Sequence, residues 1–358
     1  MGQHGKINKL QLGQHGLHEI AIYGATCSFV RSFTEGMRDK CPEMAIMYVD
    51  ESHDSDIQPG LETWTKQGEG ARLSHNSPVN ALRQTMLRQA GLVVVNGNHF
   101  SAKNQIILYH PEKEAGMQKR KSQLTSVLGF VGPRADYNRL LAEGFDFTQC
   151  TYFESIDDEN FVQWWRNLIP VPIIRPLVLT GGKSTRMGQD KSLMVFNGKP
   201  QYRRVYELFD TLRLTPYLSC RTEQASHYQW PHEHIITDRV LDIGPLAALI
   251  SAWMYDPESA LLTVACDMPH LGHESIQHLL DERRLDAIAT TLCVDSDGQP
   301  EPMATIWEPR AYPIIMQAIS AGTTCPRRIL MNHNTHRVIS KNPEQLTNVN
   351  TPEEWKQL

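Results

Sequence analysis

The feature that most limits how this chain can fold is an apolar run that stops on two glycines. Leu177-Val178-Leu179-Thr180 reads as a strand, and Gly181-Gly182 turns it into a loop carrying Lys183, Arg186, Gly188 and Lys191. Glycine tolerates positive φ and lets the backbone approach a ligand closely. Successive exposed N–H groups in such a loop form an anion nest. Arg186 can fork onto phosphate oxygens, and Lys191 can neutralise them as a point charge. The strand and loop together are built for polyphosphate. Their spacing is that of neither a Walker loop nor a Rossmann fingerprint.

Just upstream, Pro170, Pro172 and Pro176 fall within one short segment, which prevents a helix and favours extended backbone. A domain boundary is expected there, at about residue 172, dividing 1–171 from 172–358. A length of 358 residues suits two domains. With 41% hydrophobic and 21% charged residues, the chain can bury proper cores. A net charge of −5 argues against a general nucleic-acid binder, which carries a basic excess, and leaves room for a local basic pocket. The seven cysteines are scattered and no two form a Cys-x-x-Cys pair, so neither a disulfide framework nor a zinc ribbon is expected. Free thiols fit a reducing cytoplasm. The polar start Met1–Lys6 has no signal-peptide core, and no run of about 18 apolar residues would span a membrane.

Short apolar runs alternate with helical patterns in both halves, which points to α/β layers. In the first half, strands are expected at Glu19–Tyr23, Met44–Val49, Leu92–Val95 and Gln105–Tyr109, with helices at Phe29–Lys40 and Ala81–Ala90. In the second, strands are expected at Pro176–Leu179, Thr215–Ser219, His234–Thr237, Ala260–Ala265 and Ala287–Thr291. Helices there are expected at Tyr202–Leu212, Pro245–Met254, His273–Glu282 and Tyr312–Ala321. Both halves read as doubly wound α/β domains, which bind ligands at the carboxyl ends of their strands. Asp267, at such an end beside Met268-Pro269, is well placed for Mg²⁺, which takes oxygen ligands. Asp238 follows another strand, with Asp242 as a nearby competitor. Pro245 suits the first turn of a helix after Gly244. Asn348 and Asn350 alternate across Val349 and share a face if extended. Thr351 and Pro352 read as the cap and first position of a last helix.

In order, these stations resemble the molybdenum cofactor guanylyltransferases, a family of nucleotidyltransferases with a dinucleotide-binding-like fold. The likeness runs from Gly181-Gly182-x-x-x-Arg186-Met187-Gly188-x-Asp190-Lys191 through Asn197-Gly198-Lys199-Pro200 to Asp238 and Gly244–Leu249. It continues through Ala265–Pro269 and Glu301–Ala304 to Asn348–Glu354. The resemblance implies a Rossmann-like, GT-A-like three-layer sandwich in residues 172–358. It implies Mg²⁺-dependent transfer of GMP from GTP to molybdopterin or the molybdenum cofactor, with release of pyrophosphate. Arg186, Lys191 and Asp267 would be the catalytic residues, and Asp267 would bind the metal. Thr180, Gly181, Gly182, Lys183, Gly188, Asp238, Gly244, Pro245, Asn348 and Asn350 would contact the nucleotide or its partners. Paired glycines resemble guanine users, whereas cytidylyltransferase relatives commonly carry alanine first; Thr180 departs from the usual alanine before the pair. Other expectations stay open beside it: transfer from CTP or to a sugar phosphate, and a non-catalytic cofactor carrier. Small-molecule substrates are expected, with molybdenum cofactor biosynthesis or molybdoenzyme maturation proteins, and self-association, as candidate partnerships.

The first half resembles the MobB-like P-loop adaptor of molybdenum cofactor maturation through strand–loop–helix–strand–Asp and Val93–Gly97. The loop after Tyr23 is too short for a phosphate loop, so NTP hydrolysis is not expected there. Asp50–Asp56 reads as a solvated acidic loop. Asn98 and His99 are this half's site candidates. His270, His273 and His278 fit no standard zinc spacing.

Overall fold

A computed structural model describes residues 13–16, 18–50, 63–67, 70–74, 89–180, 190–294, 298–349, 351 and 354–355. The chain divides into two compact units, one within Gln11–Pro170 and the other within Val171–Leu358.

In the first unit, β1 (Glu19–Tyr23) leads to α1 (Cys27–Lys40) and β2 (Ile46–Val49). A hairpin pairs β3 (Thr63–Gln67) with β4 (Gly70–Ser74). Then come β5 (Leu92–Asn96), β6 (Asn104–Leu108), α2 (Glu114–Lys119), β7 (Val127–Val131), α3 (Arg134–Ala142), β8 (Thr151–Phe153) and α4 (Glu159–Arg166). Six strands form a parallel sheet in the order β2-β5-β1-β6-β7-β8. Successive side chains of a strand face opposite sides, and this splits the core in two. Ile20, Ile22 and Val94 pack with α1 and α4 through Val30, Phe33, Phe161 and Trp165. Ala21, Tyr23, Val95 and Ile107 pack on the other face with Met117 and Leu140. Asp50, expected to be solvated, is instead only 11% exposed at its side chain. It accepts hydrogen bonds from Tyr48 and Asn96, each at 2.9 Å.

The second unit runs from β9 (Ile174–Leu179) through the short pair β10 (Val195–Phe196) and β11 (Lys199–Pro200) to α5 (Gln201–Thr211) and β12 (Tyr217–Cys220). It continues with β13 (Ile235–Thr237), α6 (Leu246–Tyr255), β14 (Ala260–Ala265), α7 (His273–Asp281) and β15 (Ala289–Cys293). The described elements end with β16 (Pro300–Trp307), α8 (Ala311–Ser320), α9 (Pro326–Asn332) and β17 (Thr335–Ile339), then a start of helix at Glu354 and Trp355. The sheet order is β13-β12-β9-β14-β16-β15-β17. Its β16 runs antiparallel to both neighbours, so a doubly wound half carries one reversed strand. Val178, Leu262, Val264 and Ile306 pack on one face with α5 and α7. Leu177, Leu261 and Trp307 pack on the other with α6, α8 and α9. This is a three-layer Rossmann-like sandwich.

Pro176 lies inside a strand flanked on both sides, a place that proline normally avoids. The N–H of Thr180 donates to Ser219 of β12. By alternation, the backbone of Pro176 also faces the β12 side. Pairing with β12 starts only at Leu177, so no ladder bond is lost.

Candidate active site

The strand order reverses between β9 and β14, because β12 and β13 lie to one side of β9 and β14 to the other. Ligands of open α/β sheets sit at the carboxyl ends of strands flanking such a point. Here that edge borders a cavity of about 760 Å³ lined by Thr180, Lys191, Asp238, Gly244, Pro245 and Asp267, among others.

Asp267 lies two residues past the end of β14, and Lys191 opens a short turn of helix, Lys191–Leu193, capped by the Asp190 side chain. The Lys191 ammonium reaches Asp267 Oδ2 at 3.5 Å and donates to the Val349 carbonyl at 3.0 Å. The N–H of Val349 in turn donates to the Asp267 carbonyl at 2.8 Å, which ties the last segment to the end of β14. Burial pushes the Asp267 carboxyl above the ordinary carboxylate range, and Lys191 pulls it partly back. Among the described residues, its Oδ1 is buried without a hydrogen-bond partner, as is Oδ1 of Asn348. Leaving such a group unmade costs on the order of 1–3 kcal/mol. Oxygens of this kind are the hard donors that Mg²⁺ takes, and Asp267 lines the cavity.

Asp190 anchors this arrangement. It accepts from the Ser192 N–H at 3.0 Å, from Gln224 Nε2 at 2.7 Å and from the Tyr228 hydroxyl at 3.3 Å. Arg204 on α5 is a further support. Its guanidinium donates to the carbonyls of Met268 at 2.8 Å and Leu271 at 3.1 Å, immediately after Asp267. Burial lowers the proton affinity of this arginine. A lone arginine in a helix leaves no motif behind, and sequence reasoning missed it.

Across the cavity, Asp238 accepts from the Ser219 hydroxyl at 3.1 Å. Burial raises its carboxyl above the ordinary value; that hydrogen bond and Arg221 oppose the rise. Asp242, its competitor, also lines the cavity with positive φ of 61°. Gly244 has φ of 61°, and a Cβ there would meet nothing within 4 Å, so it is the left-handed backbone and not crowding that favours glycine. Pro245 caps α6 rather than entering it. Thr180 lines the cavity, but its hydroxyl donates to the Ser219 carbonyl at 2.9 Å and joins β9 to β12. Ser219 and Arg221 were not foreseen; a polar pair at the end of β12 was the available signal. Gly181, Gly182, Lys183, Arg186, Gly188 and Asn350 lie outside the described residues. Thr351 does cap the last helix. Its Oγ1 accepts from the Glu354 N–H, and its N–H donates to the Glu354 carboxylate, both at 3.2 Å. Of the three histidines, His278 lies 3.3 Å from the Ile339 carbonyl through Nε2, and His273 lies beside Glu274.

Residues 176–338 match the MobA-like NTP transferase domain. A molybdenum cofactor biosynthesis bifunctional protein of Synechocystis is 30% identical over 182 residues, 51% of this chain and 52% of that protein. The chain thus spans about half the length of that relative. A probable molybdenum cofactor guanylyltransferase of Trichormus variabilis is 30% identical over 189 residues, 50% of this chain and 86% of that protein. One from Flavobacterium johnsoniae is 28% identical over 183 residues, covering 51% and 94% respectively.

Proposed function

We propose that this chain, which belongs to the molybdenum cofactor guanylyltransferase family of nucleotidyltransferases, transfers GMP from GTP to molybdopterin or the molybdenum cofactor. The observation that carries this reading is the meeting of Lys191 and Asp267, whose Oδ1 has no hydrogen-bond partner among the described residues, at the strand-order reversal beside a nucleotide-sized cavity. The names of the relatives support the guanine donor and the molybdenum acceptor. In the reaction, an oxygen of the acceptor phosphate attacks the α-phosphorus of GTP, and the bond to pyrophosphate breaks. That oxygen is already anionic, so no strong base is needed.

The residues then have positioning and charge-neutralising work. Lys191 offsets phosphate charge, and Arg186 is assigned the same task. Asp190 and its partners hold the turn that aims Lys191. Asp238 and the Gly244-Pro245 turn bound the nucleotide side. Asp267 and Asn348 would hold Mg²⁺, which supplies Lewis-acid polarisation of phosphate oxygens when bound. Residues 172–358 are assigned the transferase domain. Residues 1–171 are assigned a MobB-like domain with a degenerate phosphate loop.

The test is incubation of the full chain with GTP, Mg²⁺ and the molybdenum cofactor, following the guanine dinucleotide and pyrophosphate by chromatography. Dinucleotide should form with GTP and not with CTP. Turnover on a sugar phosphate, with none on the molybdenum cofactor, sinks the reading.

A further inference from the structure

A second group of polar side chains lies at the carboxyl edge of the N-terminal sheet, and GMP transfer makes no use of it. Cys27 opens α1, directly after the N-cap Thr26. Its Sγ lies 3.3 Å from His99 Nε2 and 3.7 Å from the Asn98 amide nitrogen. The same His99 nitrogen lies 3.9 Å from Asp50 Oδ1. Three strand ends supply these residues: β1 leads to Cys27, β2 to Asp50 and β5 to Asn98 and His99. The chain then passes from β5 across β1 to β6, so they meet where the strand order reverses.

Asp50 and Asn98 are held from behind. Asp50 accepts from Asn96 and Tyr48, and Arg31 lies 3.8 Å from its other oxygen. Asn98 donates to the Ala25 carbonyl at 3.0 Å, and its own carbonyl accepts from Arg120 at 2.6 Å. Gly97 lets this turn lie against β1, since a Cβ there would come within 2.5 Å of the Ile22 carbonyl. Cys27 and Cys150 are half-buried, whereas Cys41, Cys220, Cys266 and Cys293 are buried and Cys325 is exposed.

The thiolate, not the thiol, is the nucleophilic form of cysteine, and a helix N-terminus or a neighbouring imidazolium favours it. His99 can accept the Cys27 proton, after which its N–H lies between the thiolate and the Asp50 carboxylate. The Asn98 amide offers the sulfur a donor. We propose that Cys27 is a reactive thiol that exchanges with small disulfides, with His99 Nε2 as its proton acceptor and the Asp50 carboxylate as the charge that stabilises the imidazolium so formed. The thiolate sulfur attacks one sulfur of the disulfide and a mixed disulfide forms on Cys27. The original S–S bond breaks, and the departing thiolate takes up the proton held by His99. The small disulfide is the only oxidant required.

The test uses the full chain, reduced and then freed of reductant, exposed briefly at neutral pH to oxidised glutathione. Peptide mass spectrometry reads the adduct on each cysteine. Cys27 should be modified about ten-fold faster than the exposed Cys325. His99→Gln should bring Cys27 to the Cys325 rate or below while circular dichroism and thermal unfolding stay unchanged. Modification of Cys27 no faster than Cys325 overturns the proposal, as does an unchanged rate in a folded His99→Gln protein. Should that variant fail to fold, the comparison of the two thiols in the unaltered chain still decides. GMP transfer is measured separately, so failure of one reading leaves the other standing.

Discussion

Asp267 is held under opposing demands. Its burial disfavours the charged form that a metal needs, and Lys191 only partly restores it. Because its folded pKa lies above the ordinary value of 3.8, the native chain holds this proton more firmly than the unfolded one. Its stability contribution is therefore greatest below that value and declines as pH rises through the folded pKa. Asp267→Asn should cut the transfer rate at least about 100-fold, read by dinucleotide formation. Without metal at neutral pH, its melting temperature should match or exceed that of the parent chain, since a disfavoured buried charge is gone. A clear drop in melting temperature would mean that pairing with Lys191 outweighs burial. Acidification should weaken Mg²⁺ binding, measured by the metal-induced thermal shift, beginning above the pH where an ordinary aspartate is protonated.

The elements fix where these residues stand. The α5 guanidinium of Arg204 binds two carbonyls just past Asp267, and one of them, that of Met268, also accepts from the Leu271 N–H at 3.3 Å. Arg204→Met should cost about 2 kcal/mol in urea unfolding, because the Leu271 carbonyl loses its side-chain donor and the Met268 carbonyl loses the shorter of its two bonds. Arg204→Lys should recover little, since one ammonium cannot reproduce the fork. In the turn before α6, Gly244→Ala should cost about 1–2 kcal/mol in the same measurement, because alanine resists positive φ. Most strands and helices were legible from alternating apolar residues, as at Ala260–Ala265. The reversed strand β16 was not, because Pro300 and Pro302 argue against any central strand. They are tolerated at its irregular end. Pairing with β14 begins at Ala304, and the register with β15 shifts between Thr291 and Cys293.

At the scale of the whole molecule, each unit has its own sheet with a core on both faces. A polypeptide of residues 171–358 should therefore fold and transfer GMP by itself, checked by circular dichroism and dinucleotide formation. A folded but inactive product would mean that the first unit takes part in the reaction. No helix among the described residues is long and apolar enough to cross a membrane.

By itself, the sequence determined the alternation of strands and helices, because side-chain period is a local property of the backbone. It also singled out the candidates for phosphate and metal chemistry, since Lys191, Asp267 and Asn348 stand in an ordered series of motifs. Tertiary structure alone decided which of them meet. Lys191 and Asp267 are 76 positions apart, and Cys27 and His99 are 72 apart. They are brought together by strand order, which depends on long-range burial and register rather than on any local pattern. The low exposure of the Asp50 side chain, the clamp by Arg204 and the oxygens of Asp267 and Asn348 that lack hydrogen-bond partners among the described residues have the same origin. Each depends on what packs beside the residue, and the neighbours along the chain carry no record of that.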